Sequence, residues 1–156
     1  MQILVLAIII ALVDQGIKYY IQSHMILGMS IPIISNALHI TYILNPEAAF
    51  GLFAHQTLLL IAVAVSILAT ILYFYRYIVT SHWLLRLGTG VFTGGAVGNL
   101  IDRVKTGYVV DFVDFRIFPV FNSADIAIFF GVGCLMHVLL FVRDPLKNTP
   151  EPKTRA

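Results

Sequence analysis

The chain has 156 residues, of which 59% are hydrophobic and 12% charged, with a net charge of +2 and a mean hydropathy of +0.90. An ordinary soluble domain is about a quarter charged, so a soluble core is excluded and a polytopic membrane protein is indicated. The net charge is too small to argue for nucleic acid, and most of the positive charge has a better use in setting membrane topology.

The first apolar segment predicts a helix over about 1–21, close to the ~20 residues that cross roughly 30 Å of hydrocarbon. It lacks the basic start of a signal peptide, and Asp14, Gln15 and Lys18 interrupt its far end where a cleavage site would need small residues, so it reads as a permanent helix. Asp14 and Lys18 form an i, i+4 pair in the favourable order. Residues 22–56 are too long for a simple hairpin. Ser30–Ile34 and Leu38–Leu44 are β-branched-rich runs around a Ser35-Asn36 turn, which predicts a small sheet resting on the membrane surface. Pro46 and Gly51 then mark Asn45-Pro46-Glu47-Ala48-Ala49-Phe50-Gly51 as an irregular loop.

Further helices are predicted over 57–75, 84–101 and 126–142. Gly90, Gly94 and Gly98 recur every four residues in the third, a spacing that lets helix backbones approach closely; Gly95 and Gly98 also border polar residues and could admit a substrate backbone. Asn99, Asp102 and Arg103 share one face at the far end of that helix. Residues 104–122 read as a second outer loop, with Phe112, Phe115, Phe118 and Phe121 able to dip into the interface. Asn122 and Asp125 stand three apart where the last helix begins, as a cap and a first-turn carboxylate would. The fold class expected is an all-α membrane protein. It has four transmembrane helices, a small extracytoplasmic β element between helices 1 and 2, and a second outer loop between helices 3 and 4. Residues 1–143 form one integral membrane domain, and 144–156 a short cytoplasmic tail.

Arg76 and Arg86 flank the link between helices 2 and 3, Arg143, Lys147, Lys153 and Arg155 follow helix 4, and no Lys or Arg falls between Lys18 and Arg76. The positive-inside rule puts that link and both termini in the cytoplasm, with 22–56 and 104–122 outside, although Lys105 and Arg116 run mildly against it. The acids then gather toward one membrane face. Cys134 is the lone cysteine and the five histidines lack ligand-like spacing, so neither a disulfide nor a metal site is expected.

An ionisable residue next to hydrocarbon is a functional-site hypothesis by default. Each acid also has a plainer reading: an ion pair for Asp14–Lys18 and for Asp102–Arg103, a cap for Asp125. Asp111, between Val110 and Phe112, lacks an obvious local partner. Two carboxylates brought together would share one proton and could activate water. A proton-coupled transporter or a non-catalytic lipid-binding scaffold would use such residues too, though four helices are few for alternating access and no internal repeat is present.

Five blocks in order carry a more specific signal: Asp14-Gln15-x-x-Lys18, Asn45-x-x-Ala48-Ala49-Phe50, Gly94–Arg103, Val109-Val110-Asp111-Phe112 and Phe121-Asn122-x-Ala124-Asp125. Over nearly its whole length the chain resembles the lipoprotein signal peptidases, the type II signal peptidases of the bacterial cytoplasmic membrane. The resemblance implies an aspartyl endopeptidase without cofactor that removes the signal peptide from diacylglyceryl-modified prolipoproteins, cutting just before the lipidated lipobox cysteine. By motif position Asp111 and Asp125 would be the catalytic pair. Asp14, Lys18, Asn45, Gly95, Asn99, Arg103 and Asn122 would be substrate-binding or supporting, Asp102 structural, and the active site would lie near the outer face. Membrane lipid and globomycin-type inhibitors are the further partners implied. Glu47 stands where the family usually has glycine, and Asp114 matches a looser family position outside the core site. The outer β element and the aromatic loop would form a cover that moves.

Overall fold

The structure, a computed structural model, describes residues 2–46 and 56–142. The first helix, α1 (Gln2–His24), outruns the predicted 1–21 by most of a turn, with His24 bonded through its ring to the Tyr20 carbonyl at 2.9 Å and stacked on the Tyr20 ring. Two strands follow, β1 (Ser30–Ile34) and β2 (Leu38–Asn45), at the predicted places. The turn between them contains Asn36 at φ 61°, a left-handed conformation that asparagine tolerates.

Helix α2 (Thr57–Tyr73) is shorter than predicted, because the chain turns at Phe74 into a separate one-turn helix, α3 (Tyr75–Val79). Helix α4 (Trp83–Thr106) continues five residues past the expected end at Ile101 and stops at Gly107, whose φ of 83° makes it a left-handed C-terminal cap. Strand β3 (Val109–Asp114) comes next, then helix α5 (Ser123–Phe141), which begins in a capping box of Asn122 and Asp125.

β3 corrects the all-α reading with its single β element between the first two helices. Six residues of the supposed second outer loop are a strand, and the sheet is antiparallel in the order β1-β2-β3. The physical reason is pairing and burial together. β3 satisfies the free edge of β2, and it brings Val110 and Phe112 into an apolar cluster with Ile21, Met25 and Tyr42 beneath the sheet.

α4 lies against both α1 and α5, with α2 packed on it as well. Its buried residues are small or polar: Gly88, Thr89, Gly90, Gly94, Gly95, Gly98, Asn99 and Asp102. A Cβ on Gly94 would come within 2.7 Å of Ile10 Cβ on α1, and one on Gly90 within 3.1 Å of Leu6, so both glycines serve close helix packing as their spacing predicted. The outward faces of α1, α2 and α5 expose Leu4, Ile8, Leu12, Leu58, Leu72, Phe129 and Leu139. Such extended apolar exposure suits hydrocarbon rather than water. α1 and α5 are long and apolar enough to cross a membrane, and α2 is a shorter apolar helix of 17 residues. Glu47, the rest of the motif after Pro46, and the 144–156 tail lie outside the described residues.

Candidate active site

At the sheet end of the bundle α1, α4 and α5 bury a lysine. Lys18 Nζ donates to Asp14 Oδ2 at 2.9 Å, Asp102 Oδ2 at 2.8 Å and Asn99 Oδ1 at 2.9 Å. Those three acceptors use all three ammonium donors. The residue is only 2% exposed, and burial of an ion is tolerated only with such pairing. Asp14 Oδ1 accepts from Ser123 Oγ at 2.6 Å and from the Ala124 N–H at 2.9 Å, tying α1 to the first turn of α5. Asp102 accepts from Gln15 Nε2 at 2.7 Å and from the Val110 N–H at 3.2 Å, tying α4 to both α1 and β3. The Asp14–Lys18 pair expected from sequence is therefore present as part of a larger cluster. Asp102, expected to pair with Arg103, has Lys18 across the helix interface as its ion-pair partner instead.

Asn99 and Asn122 carry this cluster toward the other two aspartates. Asn99 Oδ1 accepts from Lys18 and, at 3.1 Å, from Asn122 Nδ2, so its own Nδ2 points the other way and donates to Asp125 Oδ1 at 2.7 Å. Asn122 Nδ2 also donates to Asp111 Oδ1 at 2.6 Å, while its Oδ1 accepts the Asp125 N–H at 2.9 Å as the helix cap. The Asn122 N–H donates to Asp125 Oδ2 at 3.2 Å, and Asn45 Nδ2 donates to Asp111 Oδ2 at 2.8 Å. Capping and site building are thus done by the same residues. Asp111, from β3, and Asp125, from α5, are held by one shared asparagine, and the Arg103 guanidinium lies within Coulombic range of Asp125, Asp111 and Asp102.

Burial, at 2% exposure, and the neighbouring Asp125 charge push the Asp111 carboxyl up to about 7. The hydrogen bonds from Asn45 and Asn122 and the charge of Lys18 pull the other way without winning. A carboxyl titrating near neutrality can give or take a proton at working pH. Among the described residues no three His, Cys, Asp or Glu side chains converge to hold a metal ion.

Every predicted site residue except Gly95 contributes a polar group to this network or lies within range of its charges. Gly95 has a different place: a Cβ there would run into the Ala124 carbonyl, and one on Gly98 into the Asp14 carboxylate. The room a Cβ would need is taken up by α5 and by Asp14, so both glycines serve close packing. Gln15 and Ser123 are members that sequence reasoning passed over. Gln15 is named in the first motif block, which was the available signal, whereas Ser123 falls at the unspecified position of the last. Phe115, Ile117 and Phe118 are exposed beyond β3, with the Phe115 and Phe118 rings 5.8 and 6.1 Å from that of Phe121.

The fold is that of a bacterial membrane enzyme. A solved structure described as a bacterial membrane enzyme determined by the in meso method at 2.3 Å resolution matches 99% of this chain and 94% of its own, at a TM-score of 0.85 and 31% identity. A second, at 1.9 Å resolution, matches 90% of this chain and 94% of its own, at a TM-score of 0.80 and 32% identity. The chain belongs to the signal peptidase (SPase) II family, whose sequence profile matches residues 6–141. The lipoprotein signal peptidase of Moorella thermoacetica is 48% identical over 140 residues, covering 90% of this chain and 93% of that one. That of Desulfitobacterium hafniense is 45% identical over 143 residues, covering 91% of each.

Proposed function

We propose that this member of the family is an aspartyl endopeptidase that removes the signal peptide from diacylglyceryl-modified prolipoproteins, cutting just before the lipidated cysteine. The observation that carries the reading is Asn122, whose amide holds Asp111 and whose backbone and side chain hold Asp125 in the same short turn. In this mechanism the two carboxyls share one proton. The ionised member takes a proton from water, whose oxygen attacks the scissile carbonyl carbon, and the protonated member gives its proton to the carbonyl oxygen. The tetrahedral intermediate then collapses. The carbon–nitrogen bond breaks, the amine leaves with the proton first taken from water, and the hydroxyl proton returns to the other carboxylate as the carbonyl re-forms.

Both acids belong at the outer face of the cytoplasmic membrane, in a four-span topology with both termini inside. The distribution of Arg76, Arg86 and the basic tail supports that orientation, as do the apolar outward faces of α1, α2 and α5. A substrate with two acyl chains gains about 0.8 kcal/mol of membrane retention per buried CH₂, so it arrives laterally through the bilayer. The aromatic loop 115–118 is the moving part of the cover. Spin labels at residues 56 and 117 should report two distances, and one unchanged distance with and without globomycin would rule the motion out.

The substrate class is tested by incubating purified enzyme with the diacylglyceryl-modified precursor and with the unmodified one, followed by mass spectrometry. Cleavage of the modified precursor to a product beginning with the lipidated cysteine is expected. Equal cleavage of both, or a cut elsewhere, would contradict the assignment.

A further inference from the structure

Asp114 closes β3 and takes no part in the mechanism above, yet it is only 5% exposed and accepts three hydrogen bonds from two neighbours, one of them also an ion pair. Its Oδ2 accepts from Thr41 Oγ1 on β2 at 2.8 Å and from Arg116 Nη1 at 3.1 Å, and its Oδ1 accepts the Arg116 N–H at 2.8 Å. We propose that Asp114 is a positioning residue for Asp111: its carboxylate locks β3 to β2 at a bulge and shapes the turn that carries the chain back to α5. The inference rests on the reading of Asp111 and Asp125 as the reacting pair.

The β2–β3 register shows why such a lock is needed. His39 pairs with Asp114 and Ile40 with Val113, but the next pairing is Ile43 with Asp111. Two residues of β2, Thr41 and Tyr42, therefore stand against Phe112 alone. Bulges of this kind re-aim side chains beside active sites, and a one-residue slip turns every following side chain to the opposite face. A slip here would turn Asp111 away from Asn45 and Asn122. Thr41 sits in the bulge itself and is the residue that Asp114 grips; it is tied onward to Ser30 on β1 at 2.8 Å.

The turn gives a second, separate argument. Arg116 has φ 67°, a left-handed conformation that a residue with a side chain adopts only when its surroundings impose it. The Asp114 carboxylate imposes it by accepting the Arg116 N–H. The chain then returns so that the Phe121 carbonyl accepts from the N–H groups of Phe112 and Val113 at 3.0 and 2.8 Å, and the Phe121 N–H donates to Val113 at 3.1 Å. Asn122, which bridges the two aspartates, is the next residue. Asp114 thus governs the short loop that joins the strand bearing Asp111 to the helix bearing Asp125. Reacting groups lose rate steeply with misplacement, about 10²-fold for 1 Å.

The test uses the full-length enzyme in lipid with the diacylglyceryl-modified precursor, and compares Asp114→Ala, Asp114→Asn and Arg116→Gly. Asp114→Ala is expected to lower kcat by roughly 10–100-fold with KM little changed. Asp114→Asn should restore most of kcat, because its amide oxygen still accepts the Arg116 N–H and its NH₂ still meets the Thr41 hydroxyl. Arg116→Gly should be close to wild type, since glycine is at ease at positive φ and keeps the N–H. Hydrogen exchange gives a readout independent of turnover: Asp114→Ala should speed exchange at Val113 and Phe121 and leave α1 and α4 unchanged. Unchanged kcat in Asp114→Ala, equal losses in the Ala and Asn variants, or exchange raised throughout the protein would overturn the proposal. If the Ala variant does not fold, an inactive but folded Asp114→Asn overturns it, and an active one upholds it. A wild type that does not cleave would sink the peptidase reading, while the exchange result would still decide whether Asp114 holds the loop.

Discussion

Lys18 draws Asp14 and Asp102 to within 2.9 and 2.8 Å of its ammonium, whereas the hydrogen bonds that hold Asp111 and Asp125 come from the amides of Asn45, Asn99 and Asn122. The two pairs of aspartates share one end of the bundle and even share Asn99 as an intermediary. The carboxylates bonded to the buried cation do mechanical work, here tying α1 to α5 and α4 to β3. A carboxyl held by neutral amides keeps its geometry yet remains free to exchange a proton. On the proposed reading, the first pair builds the frame on which the second pair would do its chemistry.

The hardest test of this contrast is Lys18→Met. It leaves the Asp14 and Asp102 carboxylates buried without their cation, so a stability loss of about 3–5 kcal/mol is expected in thermal unfolding. Asp111→Asn replaces one acceptor of two buried amide donors and strands no charge, so it should move the same transition by less, about 1–3 kcal/mol at most. Equal transitions for Lys18→Met and wild type would remove the distinction between frame and reacting pair.

A smaller effect is expected from Gly95→Ala, whose methyl meets the Ala124 carbonyl at the start of α5; overpacking of this kind costs about 1–3 kcal/mol. Gly133→Ala, with open space around its Cβ, is the matched control and should leave the transition where it is. A control as damaging as Gly95→Ala would mean that helix propensity or lipid contact, not the approach of α5, decides the outcome.

The pH dependence sharpens the account of the reacting pair. The Asp111 carboxyl is held up at about 7, first by burial and then by the Asp125 charge. Raising the pH through that value removes the proton the pair shares, so kcat/KM should fall on the alkaline side of about 7 and rise toward the acid side until the second carboxyl is protonated too. Asp125→Asn deletes one of the two upward influences, so Asp111 should titrate lower in that variant by carboxyl-labelled NMR while staying above the ordinary carboxylate value, because its burial remains. An Asp111 titration that does not move would mean that the two acids are not coupled.

Much of this architecture is legible in the sequence wherever the cause is local. β1 and β2 were readable because β-branched runs flank a turn whose Asn36 accepts positive φ. The Asn122–Asp125 capping box and the Gly90–Gly94 packing stripe follow from spacing alone. β3 escaped because Val109, Val110, Asp111 and Phe112 are all buried, which erases the in–out alternation that marks a strand, and because its partner lies more than sixty residues away in the chain. The end of α4 was placed too early because Val104, Lys105 and Thr106 are not a membrane-like sequence; Gly107 was the signal that would have marked it. The site residues were gathered by motif, but their division of labour was not legible. Gln15 to Asp102 and Ser123 to Asp14 are contacts across 87 and 109 residues, and only the folded chain shows that Lys18 joins two acids and an amide at one point.

The most direct test of the central claim is single-turnover cleavage of a diacylglyceryl-modified precursor by wild type, Asp111→Asn and Asp125→Asn, each first shown to insert and fold. Loss of acid–base catalysis typically costs 10²–10⁴-fold, so both variants should fall by at least about a hundredfold. Turnover within a few fold of wild type in either folded variant would contradict the assignment of Asp111 and Asp125 as the reacting pair.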